Sequence, residues 1–128
     1  MPLDVIFVEE YLRELKDSIR AGKYRIERNQ RRRDNNNLFQ TYVLSEEQTK
    51  DILLSLTPMD FSERVHNDHP GYEHELLYIF GKDVRLLEHF GDSEKTVSLY
   101  IKFNKLDNNY VVVISLHEQN WPLKYMFK

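Results

Sequence analysis

Four polar side chains in the C-terminal half of the chain are candidates for catalysis: Lys82, Tyr100, Lys102 and His117. Alternation along a predicted strand puts Tyr100 and Lys102 on one face, because residues two apart in a strand point the same way. His117 lies in the next predicted strand and approaches that face if both strands cover the same core. A tyrosine and a lysine on an open sheet face are also ordinary solvent-exposed residues, so the pattern alone leaves that alternative open.

These side-chain types suit the cleavage of an RNA phosphodiester without a metal ion. The reaction takes a proton from the 2′-hydroxyl, returns one to the 5′-oxygen and needs cationic groups beside the phosphate. Histidine is the side chain whose ordinary pKa lies nearest neutrality, so His117 is the candidate acid-base group. Lys82 and Lys102 would hold the phosphate charge, and Tyr100 would orient a proton or stack on a base.

The loop over residues 65–75 is rich in histidine but matches no metal-binding motif. Its candidate ligands, His66, Asp68, His69 and His74, lack a spacing that is typical of a metal site. We therefore expect no metal ion and no cofactor. A flexible loop beside a site often contacts the substrate, which makes His69 a candidate for that role.

The net charge of −3 conceals a strongly basic segment, since residues 20–33 carry a net charge of +6. Clustered arginines are how a phosphate-binding face arises in an otherwise acidic protein, although a run of charge is as often only a solvated loop. The candidate RNA contacts in this segment are Arg28, Arg31, Arg32 and Arg33.

Periodicity and capping signals predict helices in the first half of the chain and strands in the second. Helices are expected over residues 4–21, over residues 46–55 and from Pro58 to about Arg64, with a short strand over residues 23–28 and a mobile loop over residues 29–37. Strands are expected over residues 76–80, 84–90, 96–103 and 110–116, and short turns such as Gly81-Lys82 favour antiparallel hairpins. The order predicts an α+β fold with the N-terminal helices packed on one face of a small antiparallel sheet.

The size and composition of the chain indicate one domain over residues 1–128. With 128 residues and 41% apolar residues, the chain can bury a single core. It contains no cysteine, which excludes a disulfide framework, a thiolate metal site and a cysteine nucleophile. The apolar run near the N-terminus is too short for a signal peptide or a membrane span, so we expect a cytoplasmic protein.

Several segments, in the same order and at similar spacing, resemble toxins of the MqsR type within the RelE-like group of bacterial type II toxin-antitoxin systems. The resemblance covers most of the chain. Its segments are the first helix running into Gly22-Lys23-Tyr24, KDILLSLTPMDF (50–61), YIFGKDV (78–84), LYIKF (99–103) and ISLHEQNWPLKYMF (114–127).

The resemblance implies a RelE-like toxin fold and an endoribonuclease, or mRNA interferase, that cleaves mRNA and is neutralised by an antitoxin. The implied partners are single-stranded mRNA and a cognate antitoxin protein, with no membrane and no direct DNA contact. The functional positions of the family fall on Tyr100 with Lys102 beside it, on His117, and on Tyr78 followed by Lys82.

Two departures from the family pattern keep a second function open. Glu63 stands where a lysine is expected, with Arg64 beside it as a candidate substrate contact, and the whole chain is acidic. The alternative is a toxin-like interaction module that binds a protein partner without cleaving RNA.

Overall fold

The structure is a computed structural model that describes residues 3–29 and 32–128. Its helices are α1 (Val5–Arg20), α2 (Arg33–Thr41) and α3 (Glu46–Leu54), followed by a 3₁₀ turn at Pro58–Asp60. Its strands are β1 (Tyr24–Ile26), β2 (Tyr42–Val43), β3 (Phe61–His66), β4 (Leu76–Glu88), β5 (Glu94–Lys105) and β6 (Val111–Glu118). The predicted α+β class is confirmed.

The strands form one curled, mixed sheet. The order is β1-β6-β5-β4-β2, and β3 also pairs with β4. β4 is long enough to pair with β3 through its first half and with β2 through its last residues. β1 runs parallel to β6, with Tyr24 opposite Val111. The prediction of a purely antiparallel sheet is therefore wrong at this edge, where a strand from the start of the chain returns beside the last one.

The main core lies between the helices and one face of the sheet, here called the helix face. Burying a large apolar side chain there contributes about 1.5–3 kcal/mol each. The principal buried contributors from α1 and β5 are Val8, Leu12, Leu15, Ile19, Val97, Leu99, Ile101 and Phe103. The opposite side, here called the open face, carries a much smaller apolar cluster of Leu77, Val112 and Ile114.

Local capping signals account for the ends of α1 and α3. The Asp4 carboxylate accepts the Phe7 N–H at 2.8 Å, which satisfies one of the free donors in the first turn of α1. Gly22 follows α1 with φ of 75°, a left-handed conformation that ends helices. Ser45 and Gln48 form the reciprocal capping box of α3. The predictions of these two helices are confirmed.

Three local predictions are wrong. The polar stretch expected to be a mobile loop contains α2 from Arg33 onward, and the helix expected to reach Arg64 is a 3₁₀ turn that leads at Phe61 into β3. Gly81-Lys82 is the middle of β4 and not a turn. In each case the decisive contacts come from residues distant in sequence, which local pattern does not contain.

The C-terminal segment over residues 119–128 crosses the open face and ends beside β3. The Gln119 side chain donates to the Leu99 carbonyl at 3.0 Å, and the Met126 N–H donates to the Phe61 carbonyl at 3.0 Å. Gly81 lies beneath this segment, and a Cβ there would meet Leu123 Cδ1 at 2.9 Å. Glycine is therefore needed at position 81 for the close approach of the tail.

Candidate active site

Two neighbouring rungs of the β5–β6 ladder bring four polar side chains together on the open face. Tyr100 lies directly opposite His117, and Lys102 lies directly opposite Ser115. Residues that face each other in an antiparallel pair point to the same side of the sheet. The predicted approach of His117 to Tyr100 and Lys102 is present in the structure. Their catalytic roles stay predictions.

The Tyr100 and His117 rings are stacked, with centroids 5.0 Å apart and planes inclined by 12°. The Nδ1 atom of His117 lies 2.7 Å from the Glu118 carbonyl oxygen. A carbonyl only accepts hydrogen bonds, so Nδ1 carries the proton and Nε2 holds the lone pair of the neutral ring. The stack and this hydrogen bond together fix both the orientation and the tautomer of the imidazole.

Burial shifts the pKa values of Lys102 and Tyr100 in opposite directions. Burial lowers the pKa of Lys102, and Arg32 lowers it further, while Asp68 acts in the other direction. Burial raises the pKa of Tyr100, with a smaller contribution from Glu63. At neutral pH the Tyr100 phenol is therefore protonated and can donate a hydrogen bond, whereas the Lys102 ammonium is a stronger acid than an ordinary lysine.

The first turn of α2 adjoins β6 at this position. Arg32, Arg33, Asp34 and Asn35 line a cavity of about 150 Å³ together with Ser115 and His117. β1 pairs only with residues 111–113 of β6, so α2 covers the rest of that edge. Arg32 and Arg33, two of the candidate RNA contacts, therefore lie beside His117.

Three predicted site residues lie on the helix face, away from His117: Lys82, Tyr78 and Arg64. Lys82 is opposite the buried Leu99, and its Nζ lies 3.3 Å from Asp60 Oδ2. Tyr78 is buried in the main core and stacks on Tyr11 at 3.7 Å between ring centroids. Because β4 continues through Gly81 without a turn, alternation assigns Lys82 to the face opposite to that of Tyr100 and Lys102, so its predicted place in the site is wrong.

Arg64 is opposite Tyr78 in the ladder and shares its face. Its guanidinium lies 5.9 Å from the centre of the Phe7 ring and 6.0 Å from that of Tyr78. These distances place Arg64 beside Phe7 of α1 and Tyr78 of β4. The structure therefore does not place Arg64 with the open-face residues.

The remaining predicted contacts are dispersed. Arg28 stacks over the Phe39 ring at 4.2 Å, and Arg31 lies outside the described residues. His69 packs against Tyr72, with ring centroids 5.5 Å apart. The loop that carries His69 reaches the site through Asp68, whose charge acts on Lys102.

Two residues that matter to the geometry were not among the predicted site residues. Ser115 lies opposite Lys102 on the open face, where its two-residue spacing from His117 puts it. Asn35 lies in a polar run, is only 1% exposed and bonds the backbone of β6. No local pattern distinguishes it from the asparagines beside it.

A larger cavity, of about 650 Å³, lies elsewhere, between α1, the start of β4 and the β5–β6 hairpin. Several of its charged groups already have partners, since Lys105 pairs with Glu14 and Glu75 bonds Asn67 and Asn104. Within residues 3–29 and 32–128, no three His, Asp or Glu side chains meet so as to hold a metal ion. None of the helices in the described part of the chain has the length and apolar character needed to cross a bilayer.

Comparison of the chain with family models, with curated proteins and with solved structures finds no match.

Proposed function

We propose that this protein is the toxin of a type II toxin-antitoxin pair, an endoribonuclease that cleaves single-stranded mRNA in the cytoplasm without a metal ion and is neutralised by a cognate antitoxin. The observation that carries the proposal is the stacked Tyr100–His117 pair beside Lys102, with the His117 Nδ1 atom held by a carbonyl. The resemblance to MqsR-type toxins supports the same reaction.

His117 acts as the general base in this proposal. Its Nε2 atom takes the proton of the RNA 2′-hydroxyl, the 2′-oxygen attacks the adjacent phosphorus, and the bond from phosphorus to the 5′-oxygen breaks. The products are a 2′,3′-cyclic phosphate and a 5′-hydroxyl. No water is consumed, and the RNA supplies its own nucleophile.

Lys102 donates the proton to the departing 5′-oxygen and stabilises the charged phosphate. Its lowered pKa makes the ammonium a better proton donor at a given pH. Residues diagonal to each other in an antiparallel ladder are about 7–8 Å apart, so His117 and Lys102 can reach opposite sides of one phosphate. Tyr100 keeps the imidazole oriented by stacking and offers its phenol as a hydrogen-bond donor or its ring to a base.

The test is in vitro cleavage of a single-stranded RNA in EDTA by the full chain, with His117→Ala as the variant and His89→Ala, an exposed histidine after β4, as the matched control. We expect His117→Ala to lose about 100-fold or more in rate, which is the usual contribution of a general base. His89→Ala should cleave like the wild type. The RNA with a 2′-deoxy group at the cleaved position should resist, and the product should carry a cyclic phosphate.

Neutralisation is tested in cells. Expression of the wild type should stop growth, expression of His117→Ala should not, and co-expression of the antitoxin encoded by a neighbouring gene should restore growth. Equal toxicity and equal cleavage by wild type and His117→Ala would remove His117 from the mechanism.

One observation favours the second function, a toxin-like interaction module without catalysis. Glu63 acts electrostatically on Tyr100, so a carboxylate stands beside the surface that would receive RNA. In that case pure protein leaves RNA intact and forms a stable stoichiometric complex with the product of the neighbouring gene.

A further inference from the structure

The cavity of about 150 Å³ between α2 and β6 has the components of a phosphate-binding site. It is lined by Arg32, Arg33, Asp34, Asn35, Ser115 and His117. This volume is below the range of about 300–1,000 Å³ that is typical of pockets for drug-sized ligands. It suits one small anion better than a nucleoside.

The first turn of α2 supplies backbone donors to this cavity. The first N–H groups of an α-helix have no intrahelical acceptor, and they form a partial positive charge that attracts anions. The first helical hydrogen bond of α2 runs from Asn36 N–H to the Arg32 carbonyl. Among the described residues, no side chain caps this helix at Arg32. The donors of the first turn are therefore available to a ligand.

Ser115 is a second and independent indication of a ligand. It is only 6% exposed, lies on the open face opposite Lys102 and lines the cavity. Its hydroxyl has no hydrogen-bond partner among the described residues. The hydroxyl opens onto the cavity, where an anion would accept its proton.

The charges around the cavity favour an anion overall. Arg32 and Arg33 line it, and Lys102 is close enough to Arg32 for their charges to interact. Asp34 is the one carboxylate among the lining residues named above, and it opposes binding. The two arginines outweigh it.

We propose that the first turn of α2 and the Ser115 hydroxyl form a phosphate subsite beside His117. The site recognises the tetrahedral oxygens of a phosphate group, whether that group is a phosphodiester of the RNA chain or a free phosphate. The subsite rests on the proposed function in one respect, since RNA is the ligand that would bring a phosphate next to His117, the general base of the proposed reaction. The subsite would hold the chain in register while His117 and Lys102 act on a phosphodiester.

The subsite is tested by recording the backbone amide resonances of Arg33, Asp34 and Asn35 while inorganic phosphate is added at constant ionic strength. A second titration uses a 2′-deoxy oligonucleotide, which cannot be cleaved by attack of a 2′-oxygen. We expect saturable shifts that chloride does not produce. Shifts with both ligands indicate a site for chain phosphates, and shifts with inorganic phosphate alone indicate a site for free phosphate.

Three variants sharpen the test. Ser115→Ala should weaken phosphate binding about tenfold, because it removes a hydrogen bond to a charged group. Asp34→Asn should strengthen binding by removing the opposing charge. Ser98→Ala is the matched control, since Ser98 lies on the same face of β5 but bonds Asp83, and it should bind like the wild type.

The outcomes separate this site from the proposed reaction. Absence of saturable shifts in the wild type, or unchanged binding in Ser115→Ala, overturns the subsite even if RNA is cleaved. Saturable shifts and weaker binding in Ser115→Ala support it even if RNA is left intact, in which case only the proposed reaction fails.

Discussion

The side-chain amide of Asn35 binds both neighbours of Ser115: its Oδ1 accepts the Leu116 N–H at 2.8 Å, and its Nδ2 donates to the Ile114 carbonyl at 2.9 Å. One side chain of α2 thereby takes the place of a paired strand along the part of the β6 edge that β1 does not reach. The same amide nitrogen also donates to the Glu27 carbonyl at 2.8 Å. Asn35 thus joins the segment after β1, the helix α2 and the strand that carries His117.

Replacing Asn35 should reduce stability more than its position in a polar run suggests. Asn35→Ala leaves the Leu116 N–H and two carbonyls without partners in a buried place, so we expect a loss of roughly 2–3 kcal/mol in the free energy of unfolding. Urea denaturation measures it. Asn37→Ala, an exposed position two residues on, is the control and should change stability by less than about 0.5 kcal/mol. Equal losses in the two variants would contradict the bridging role of Asn35.

The contrast between Asn35 and Ser45 explains which elements could be predicted. Ser45 and Gln48 act on each other within one turn, so their spacing alone predicted the start of α3. Asn35 acts on Leu116, 81 positions away, and α2 consequently forms where composition indicates a loop. The β5 and β6 strands were predictable because the alternation of apolar and polar residues is a local pattern. For the same reason the sequence could predict that Tyr100 and His117 share a face.

Gly81 is a second position where contacts distant in sequence made the local prediction wrong. A glycine followed by lysine is typical of a turn. Here glycine is needed for another reason, because the Leu123 and Gln119 side chains of the C-terminal segment pack over the Gly81 backbone. Since Gly81 continues the strand, Lys82 falls on the helix face. One wrong local interpretation therefore misplaced a candidate catalytic residue.

Substituting Gly81 should displace the C-terminal segment. The Cβ of Gly81→Ala would lie 2.9 Å from both Gln119 Nε2 and Leu123 Cδ1, and it would also meet the Tyr125 hydroxyl. We expect a loss of roughly 1–3 kcal/mol, typical of overpacking, and faster hydrogen exchange at the Leu123 and Met126 amides. Amides in the middle of β5 should stay protected.

The double variant Gly81→Ala, Tyr125→Phe is the matched comparison. Removing the phenolic oxygen relieves one of the three contacts, so part of the lost stability and amide protection should return. Full protection of the tail in the single variant would refute the close approach at Gly81.

Lys82 and Lys102 lie on adjacent strands but on opposite faces, which makes them a matched pair for mutation. Lys82→Met leaves Asp60, only 8% exposed, without its ammonium partner, so stability should fall by about 1–3 kcal/mol. RNA cleavage per folded molecule should be unchanged. Lys102→Met should instead abolish most cleavage with a smaller change in stability. A similar loss of cleavage in both variants would contradict this and indicate that Lys82 takes part in the reaction.

The pH dependence of cleavage should report Lys102 on its alkaline side. If the Lys102 ammonium donates the proton to the 5′-oxygen, the rate falls as pH rises through the pKa of Lys102, which burial has lowered from the ordinary lysine value. Asp68 raises that pKa through its charge. Asp68→Asn should therefore lower the pKa of Lys102 and move the alkaline limb of the kcat/KM profile to lower pH. Asp92→Asn removes the same charge from the turn between β4 and β5, and its alkaline limb should match the wild type. An unmoved limb in Asp68→Asn, with an intact rate at the optimum, would mean that another group donates the proton.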